Sequence, residues 1–173
     1  MTRGTAGDVR DCFAALPTAV SVITTRGPEG PAGCTAGTVA PLSFSPSTLL
    51  VSLRETSATL TAIRESGAFA VNVLSWYDRD LATRFSVIPA HERFAGLEHR
   101  EVDGVPVLPR SSLLLLCSLR DCLSAVGHRI VIGTVLTADK SPLPPSVQYE
   151  HVYRELVCSG PLPSARYREG GRY

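Results

Sequence analysis

Apolar positions change their spacing several times along this chain, and each change marks an element. Val9, Cys12, Phe13 and Leu16 recur at i, i+3, i+4 and i+7. That is one stripe of a helix, which Asp8 caps and Pro17 stops. Ala19 to Thr25 alternates instead and is rich in Val, Ile and Thr, the pattern of a strand. Gly27-Pro28-Glu29-Gly30 reads as a turn and Ala32 to Val39 as a second strand, together a β-hairpin. Pro41 and Pro46 bracket a connection, and Thr48 to Leu53 returns as a strand.

Ser57 precedes Leu60 and Ile63, and Gly67 follows, which predicts a capped helix with a glycine stop. Ala68 to Leu74 is a strand, and Asp78 to Phe85 is helical with Asp80 and Arg84 at i, i+4. From Pro89 to Arg110 the chain is turn-rich, with weak strands over Glu98 to Val102 and Val105 to Leu108. Leu113 to Ala125 and Arg129 to Ala138 are long, partly buried strands. The three prolines of Ser141 to Pro145 make a loop, and Val147 to Val157 forms one strand or a strand and a turn. Eight or so strands without strict β-α-β alternation predict a mainly β, antiparallel barrel with a few short helices packed outside. One domain over 1–158 and a flexible C-terminal tail of Gly, Pro, Ser and Arg over 159–173 complete the organisation.

Composition narrows the function. The 173 residues are 19% charged, against roughly 25% in an average soluble domain. Such a surface is one that another copy, a cofactor or a partner covers. Seventeen basic and sixteen acidic residues give +1, with no basic cluster for phosphate contacts, which argues against nucleic acid. The longest strongly apolar run is Leu113 to Cys117, far below the ~20 residues of a membrane span. Cys12, Cys34, Cys117, Cys122 and Cys158 are odd in number and irregularly spaced, which indicates neither a zinc site nor a disulfide framework. These features place the chain in the cytoplasm.

No phosphate-binding or nucleophile-elbow motif is present, and His91, His99, His128 and His151 lack metal-ligand spacing, so no metal is expected. An enzyme with this sequence takes its reactive group from a cofactor. Four stretches carry candidate chemistry. Gly33 to Thr38 is a run of small and hydroxyl residues where a core strand carries Val or Leu. It is either a decorated edge strand or a floor that a flat ligand approaches, with Thr35 and Thr38 as hydrogen-bond donors. Ser57 and Thr59 open a helix, as a simple cap or as a phosphate seat beside free N–H groups. Arg84 and Phe85 read as an ion pair with a core ring, or as a phosphate contact with a ring cover. His128 lies at a hairpin turn, exposed or reaching a pocket mouth.

In this order and spacing, the four stretches resemble the flavin reductase family of the FMN-binding split barrel. The segment from Ser57-Ala58-Thr59 through Arg64-Glu65-Ser66-Gly67 to Phe69-Ala70-Val71-Asn72-Val73-Leu74 carries the match, which covers about Asp8 to Leu156. The resemblance implies a homodimer that binds FMN or FAD and reduces it by hydride transfer from NADH or NADPH. It also implies delivery of reduced flavin to a flavin-dependent monooxygenase. Carried over by position, Thr35, Ala36 and Thr38 line the isoalloxazine and Leu53 contacts it through its backbone. Ser57, Thr59 and Arg84 hold the phosphate with Phe85 nearby, and His128 is the catalytic-site histidine where nicotinamide stacks. Three places depart from the family pattern, one of them Val152 before Tyr153, where members often carry an arginine before an aromatic residue. Gly37 stands where members carry an asparagine, and Val126-Gly127 precedes His128 where members carry Gly-Asp. A flavin carrier with little reductase activity, or a barrel repurposed for another flat molecule, are the alternatives.

Overall fold

The computed structural model describes residues 6–157; the predicted tail lies outside them. Helix α1 spans Ala6–Ala14, starting two residues before the expected cap, so Asp8 sits in its first turn, at the positive end of the helix dipole. There follow β1 (Thr18–Ala19), β2 (Ser21–Gly27), β3 (Gly30–Ala36), β4 (Val39–Phe44) and β5 (Ser47–Arg54). Then come α2 (Ala58–Ser66), β6 (Ala68–Leu74), α3 (Leu81–Val87), β7 (Arg100–Val102) and β8 (Val105–Val107). The last elements are β9 (Ser111–Ala125), β10 (His128–Lys140), β11 (Ser146–Tyr149) and β12 (Val152–Glu155).

Four local expectations change. The strand expected over Ala32 to Val39 breaks at Gly37-Thr38, between β3 and β4. The segment between Pro41 and Pro46 is mostly strand β4, not a connection. It lies at a sheet edge, where a proline's missing N–H breaks no ladder, and its register shifts between Pro41 and Ser43. The expected helix over Asp78 to Phe85 divides into a 3-10 turn at Trp76–Asp78 and α3. The last segment is a β11–β12 hairpin, turning at Glu150 and His151, both with positive φ.

All strand pairs are antiparallel, and the main sheet runs β3-β2-β6-β9-β10-β5-β4. Its two edge strands, β3 and β4, are consecutive in sequence and joined by Gly37-Thr38 alone. A two-residue link cannot cross a flat seven-stranded sheet, whose strands lie roughly 4.8 Å apart. The sheet therefore curls so that its ends approach, with Cys34 to Ala36 of β3 and Ser52 to Arg54 of β5 lining one cavity. This is the split barrel: mainly β, antiparallel, with short helices at its periphery.

Ile23, Val51, Phe69, Val71, Cys117 and Val131 fill the interior, and α2 adds Leu60 and Ile63. Neighbouring residues face the other way. Val22 and Leu74 pack outside under α3 with Ala82 and Phe85, and Ala70, Leu114 and Leu116 pack under the β7–β8 hairpin. Covered on both faces, β2 and β6 read as near-continuous buried runs. Two glycines permit close packing. A Cβ on Gly133 would fall 2.5 Å from Phe69 Cζ, and one on Gly33 would fall 2.9 Å from Phe85 Cε1. Buried Asn72 donates to Val22 O (3.0 Å) and Thr24 Oγ1 (2.9 Å) and accepts from Leu108 N–H (2.9 Å). It thereby ties the outer loops to the barrel wall.

Candidate functional site

The curl leaves a cavity of about 550 Å³ where the sheet's ends meet. One wall is Cys34 to Thr38, and the facing wall is Ser52 to Arg54. Thr56, Ser57 and Ala58, at the start of α2, form a third side. Phe85, Ser86, Ala90 and Arg93 enter from the α3 region, and His128 stands at the β9–β10 turn. Of the residues singled out from sequence, Thr35, Ala36, Thr38, Leu53, Ser57, Phe85 and His128 all line this one space.

Thr59 and Arg84 do not. Thr59 is 1% exposed, behind the wall, with its hydroxyl toward the Cys34 thiol. Arg84 makes no pair with Asp80. Its Nε donates to Arg93 O at 2.7 Å and its Nη2 donates to Ala95 O, clamping the loop after α3. Thr35 lines the cavity, but its hydroxyl donates to Ala82 O at 2.6 Å and fastens β3 to α3. Ser57 occupies the N-cap position of α2 without capping it. Its hydroxyl lies 3.9 Å from Cys34 Sγ, on the cavity side, which leaves the first-turn N–H groups uncapped by it.

One of the two arginines lining the cavity is Arg93, which the sequence-based candidates did not include. Its Nε donates to Ile88 O and its Nη1 to Gly33 O, both at 2.8 Å, so the guanidinium is fixed before any ligand arrives. A signal was present: Arg84-Phe85 recurs as Arg93-Phe94 nine positions later. The two rings meet edge to face, with centroids 5.1 Å apart. Each arginine thus stands beside a ring that anchors its segment.

Cys34, within the run of small residues on β3, also lines the wall. Burial pushes its thiol above the usual range, partly opposed by hydrogen bonds from Thr59 and Ser57 and by the charge of Arg93. It is a neutral wall group at pH 7 rather than a nucleophile. His128 is exposed, with Nδ1 3.4 Å from Val126 O. Val126 and Gly127 both have positive φ, the two-residue turn that matches the twist of a hairpin.

The arrangement offers small-residue walls, a preset cation beside a helix start, and an aromatic ring. No carboxylate lines it. Among the described residues no cluster of three His, Cys, Asp or Glu side chains is placed to hold a metal ion, and no helix is long and apolar enough to cross a membrane. The site is built to hold a flat, anionic molecule by shape and charge.

The flavin reductase like domain matches residues 13–156. The chain is 38% identical over 136 residues to a flavin reductase (NADH) of Kitasatospora aureofaciens, covering 76% of this chain and 71% of that one. It is 35% identical over 137 residues to a probable flavin reductase of Rhizobium meliloti, covering 78% of this chain and 44% of the relative. The chain therefore spans less than half of that relative's length. Its fold superposes with a TM-score of 0.84 on nitrilotriacetate monooxygenase component B of Mycobacterium thermoresistibile, at 26% identity, covering 96% of this chain and 95% of that one. With the curled antiparallel sheet and a cavity at its seam, these matches establish that the chain belongs to the flavin reductase like domain family.

Proposed function

We propose that the protein is an NAD(P)H-dependent flavin reductase that binds FMN or FAD in the seam cavity. It takes reducing equivalents from NADH or NADPH and releases reduced flavin to a flavin-dependent monooxygenase. The observation that carries this reading is Arg93, fixed by two carbonyls beside Ser57 and the start of α2, in a cavity walled by small residues. The names of the Kitasatospora and Rhizobium relatives support it. The donor set fits a phosphorylated flavin: a preset guanidinium and a hydroxyl for the phosphate, and backbone at Ala36 to Thr38 close enough for a flat ring.

Bound flavin supplies the hydride-accepting ring. The chain's own task is placement, which accords with the lack of an acid–base pair in the wall. Ala36, Thr38 and the backbone of Thr35 and Leu53 line the ring. Ser57 and Arg93 hold the phosphate, with Thr59 and Arg84 acting from behind the wall. Phe85 packs on Gly33 and keeps β3 in position. His128 orients the nicotinamide at the mouth.

The assembly is a homodimer in the cytoplasm. Phe44 and Leu136, 72% and 59% exposed on β4 and β10, supply apolar surface that a second copy covers. Absorbance at the nicotinamide band in air, with NADH or NADPH and FMN or FAD, tests the reading. Oxidation that requires added flavin is the expected result. Flavin binding without oxidation would make the protein a flavin carrier, and no binding would make it a repurposed barrel.

A further inference from the structure

Arg54 and His128 are directly opposed in the antiparallel β5–β10 register, and both line the cavity mouth. Opposed residues of such a pair project from the same face with Cβ atoms roughly 4.5–5.5 Å apart. The nearest acid in sequence, Glu55, is already engaged. Arg129 donates to its Oε1 from Nε at 3.0 Å and from Nη2 at 2.6 Å. None of the sixteen residues lining the cavity is acidic. Glu55 N–H also donates to Gly127 O at 3.1 Å, so the β5 end and the β9–β10 turn move as one piece. The rim therefore holds an arginine and a histidine side by side, with no acid among the residues that line the cavity.

Arg93 and Ser57 already answer the single phosphate of FMN, so the rim is a second anion seat. We propose that Arg54, beside His128, forms a subsite at the cavity mouth for the diphosphate of the dinucleotide reductant. The proposal rests on the reductase reading above. A planar guanidinium matches two phosphate oxygens at once, and its position beside the residue assigned to the nicotinamide puts charge recognition next to the reacting ring.

The test compares wild type, Arg54→Gln and Arg54→Lys with FMN, using two donors. One is NADH; the other is N-benzyl-1,4-dihydronicotinamide, which has the reducing ring and no phosphate. Loss of one charge-assisted contact predicts a rise of about tenfold or more in the KM for NADH with Arg54→Gln. The rise falls on KM rather than kcat, is several times larger with NADH than with the truncated donor, and shrinks with added salt. Arg54→Lys recovers part of the loss. Equal changes with both donors, or an unaltered KM for NADH, would overturn the subsite. A loss confined to assays with FAD would assign Arg54 to the flavin's own second phosphate and overturn it as well. If the wild type oxidises neither donor, the reductase reading fails. The subsite is then judged by titrating NADH fluorescence against the protein, where equal affinity of wild type and Arg54→Gln refutes it.

Discussion

Replacing Arg93 by Met separates the loop bracing that the structure shows from the phosphate recognition proposed above. The first is structural. Its Nε and Nη1 bonds, both 2.8 Å, tie the loop after α3 to Ile88 O and to the carbonyl of buried Gly33 on β3. Hydrogen bonds from a charged donor contribute about 1.5–3 kcal/mol each at full burial. Arg93 is only half-buried, so we expect a loss of about 2–3 kcal/mol for the pair, measurable by urea denaturation. That leaves a folded protein if its stability lies in the ordinary range of about 5–15 kcal/mol. The second task is recognition. A lost charge-assisted contact to phosphate, at about 1.5–3 kcal/mol, weakens FMN binding by about 10- to 150-fold. Riboflavin, which has the same ring and no phosphate, serves as the internal control, since loop loosening affects both ligands. The assay is quenching of flavin fluorescence with each. The preference for FMN over riboflavin should fall by at least about tenfold in Arg93→Met, and Arg93→Lys should retain an intermediate preference. An unchanged preference, with both affinities reduced alike, would show that Arg93 only braces the loop.

Arg84→Gln removes the clamp on the Arg93 and Ala95 carbonyls without touching the cavity. FMN affinity should fall by a smaller factor than in Arg93→Met, and the double variant should be less than additive, since one side chain acts through the other. Asn72→Ala deletes three buried hydrogen bonds and strands the Leu108 N–H. At about 1 kcal/mol each, it should lower unfolding free energy by about 3 kcal/mol in urea titration while leaving the FMN-to-riboflavin preference alone. Burial pushes the Cys117 thiol from 9.0 up to about 12. Above pH 9 the unfolded chain ionises this thiol and the folded chain does not, so stability declines as pH rises from 9 toward 12. Its share of the slope is at most about 1.4 kcal/mol per pH unit. Cys117→Ala should flatten the alkaline decline by that share, and parallel wild-type and variant profiles would contradict the assignment. Cys34, raised by burial and set in the cavity wall, should react with iodoacetamide more slowly than exposed Cys12 at pH 7.5, and more slowly again with FMN present.

The strands were legible where a local rule governs them. β-branched residues marked β2 and β10, a long apolar run marked β9, and the Ser57 and Gly67 pair marked both ends of α2. Proline misled at β4, because a sequence does not declare that a strand will lie at an edge, and only there is Pro41 harmless. The wall residues Ala36, Thr38 and Ser57 were legible because they are anomalously small or hydroxylated for their elements. Arg93 was not. Its role depends on a loop folding back to a carbonyl sixty positions earlier, and the repeated Arg-Phe pair marks the residue without revealing that contact. Arg84 was the converse case. Helical spacing offered it Asp80, yet the tertiary fold turned its guanidinium toward the next loop.

The two-residue link at Gly37-Thr38 makes the barrel's seam a natural place for it to breathe. Strands β3 and β4 are the sheet's edges, so local opening there breaks few ladder bonds compared with opening at β6 or β9. A molecule bridging the seam acts as a latch. At a concentration a hundred times its Kd it stabilises the closed form by about 2.7 kcal/mol. Backbone amides of β3 and β5 should then show the largest slowing of hydrogen exchange, with β6 and β9 already slow in its absence. For a ligand seated in the seam cavity, occupancy and closure would be one event.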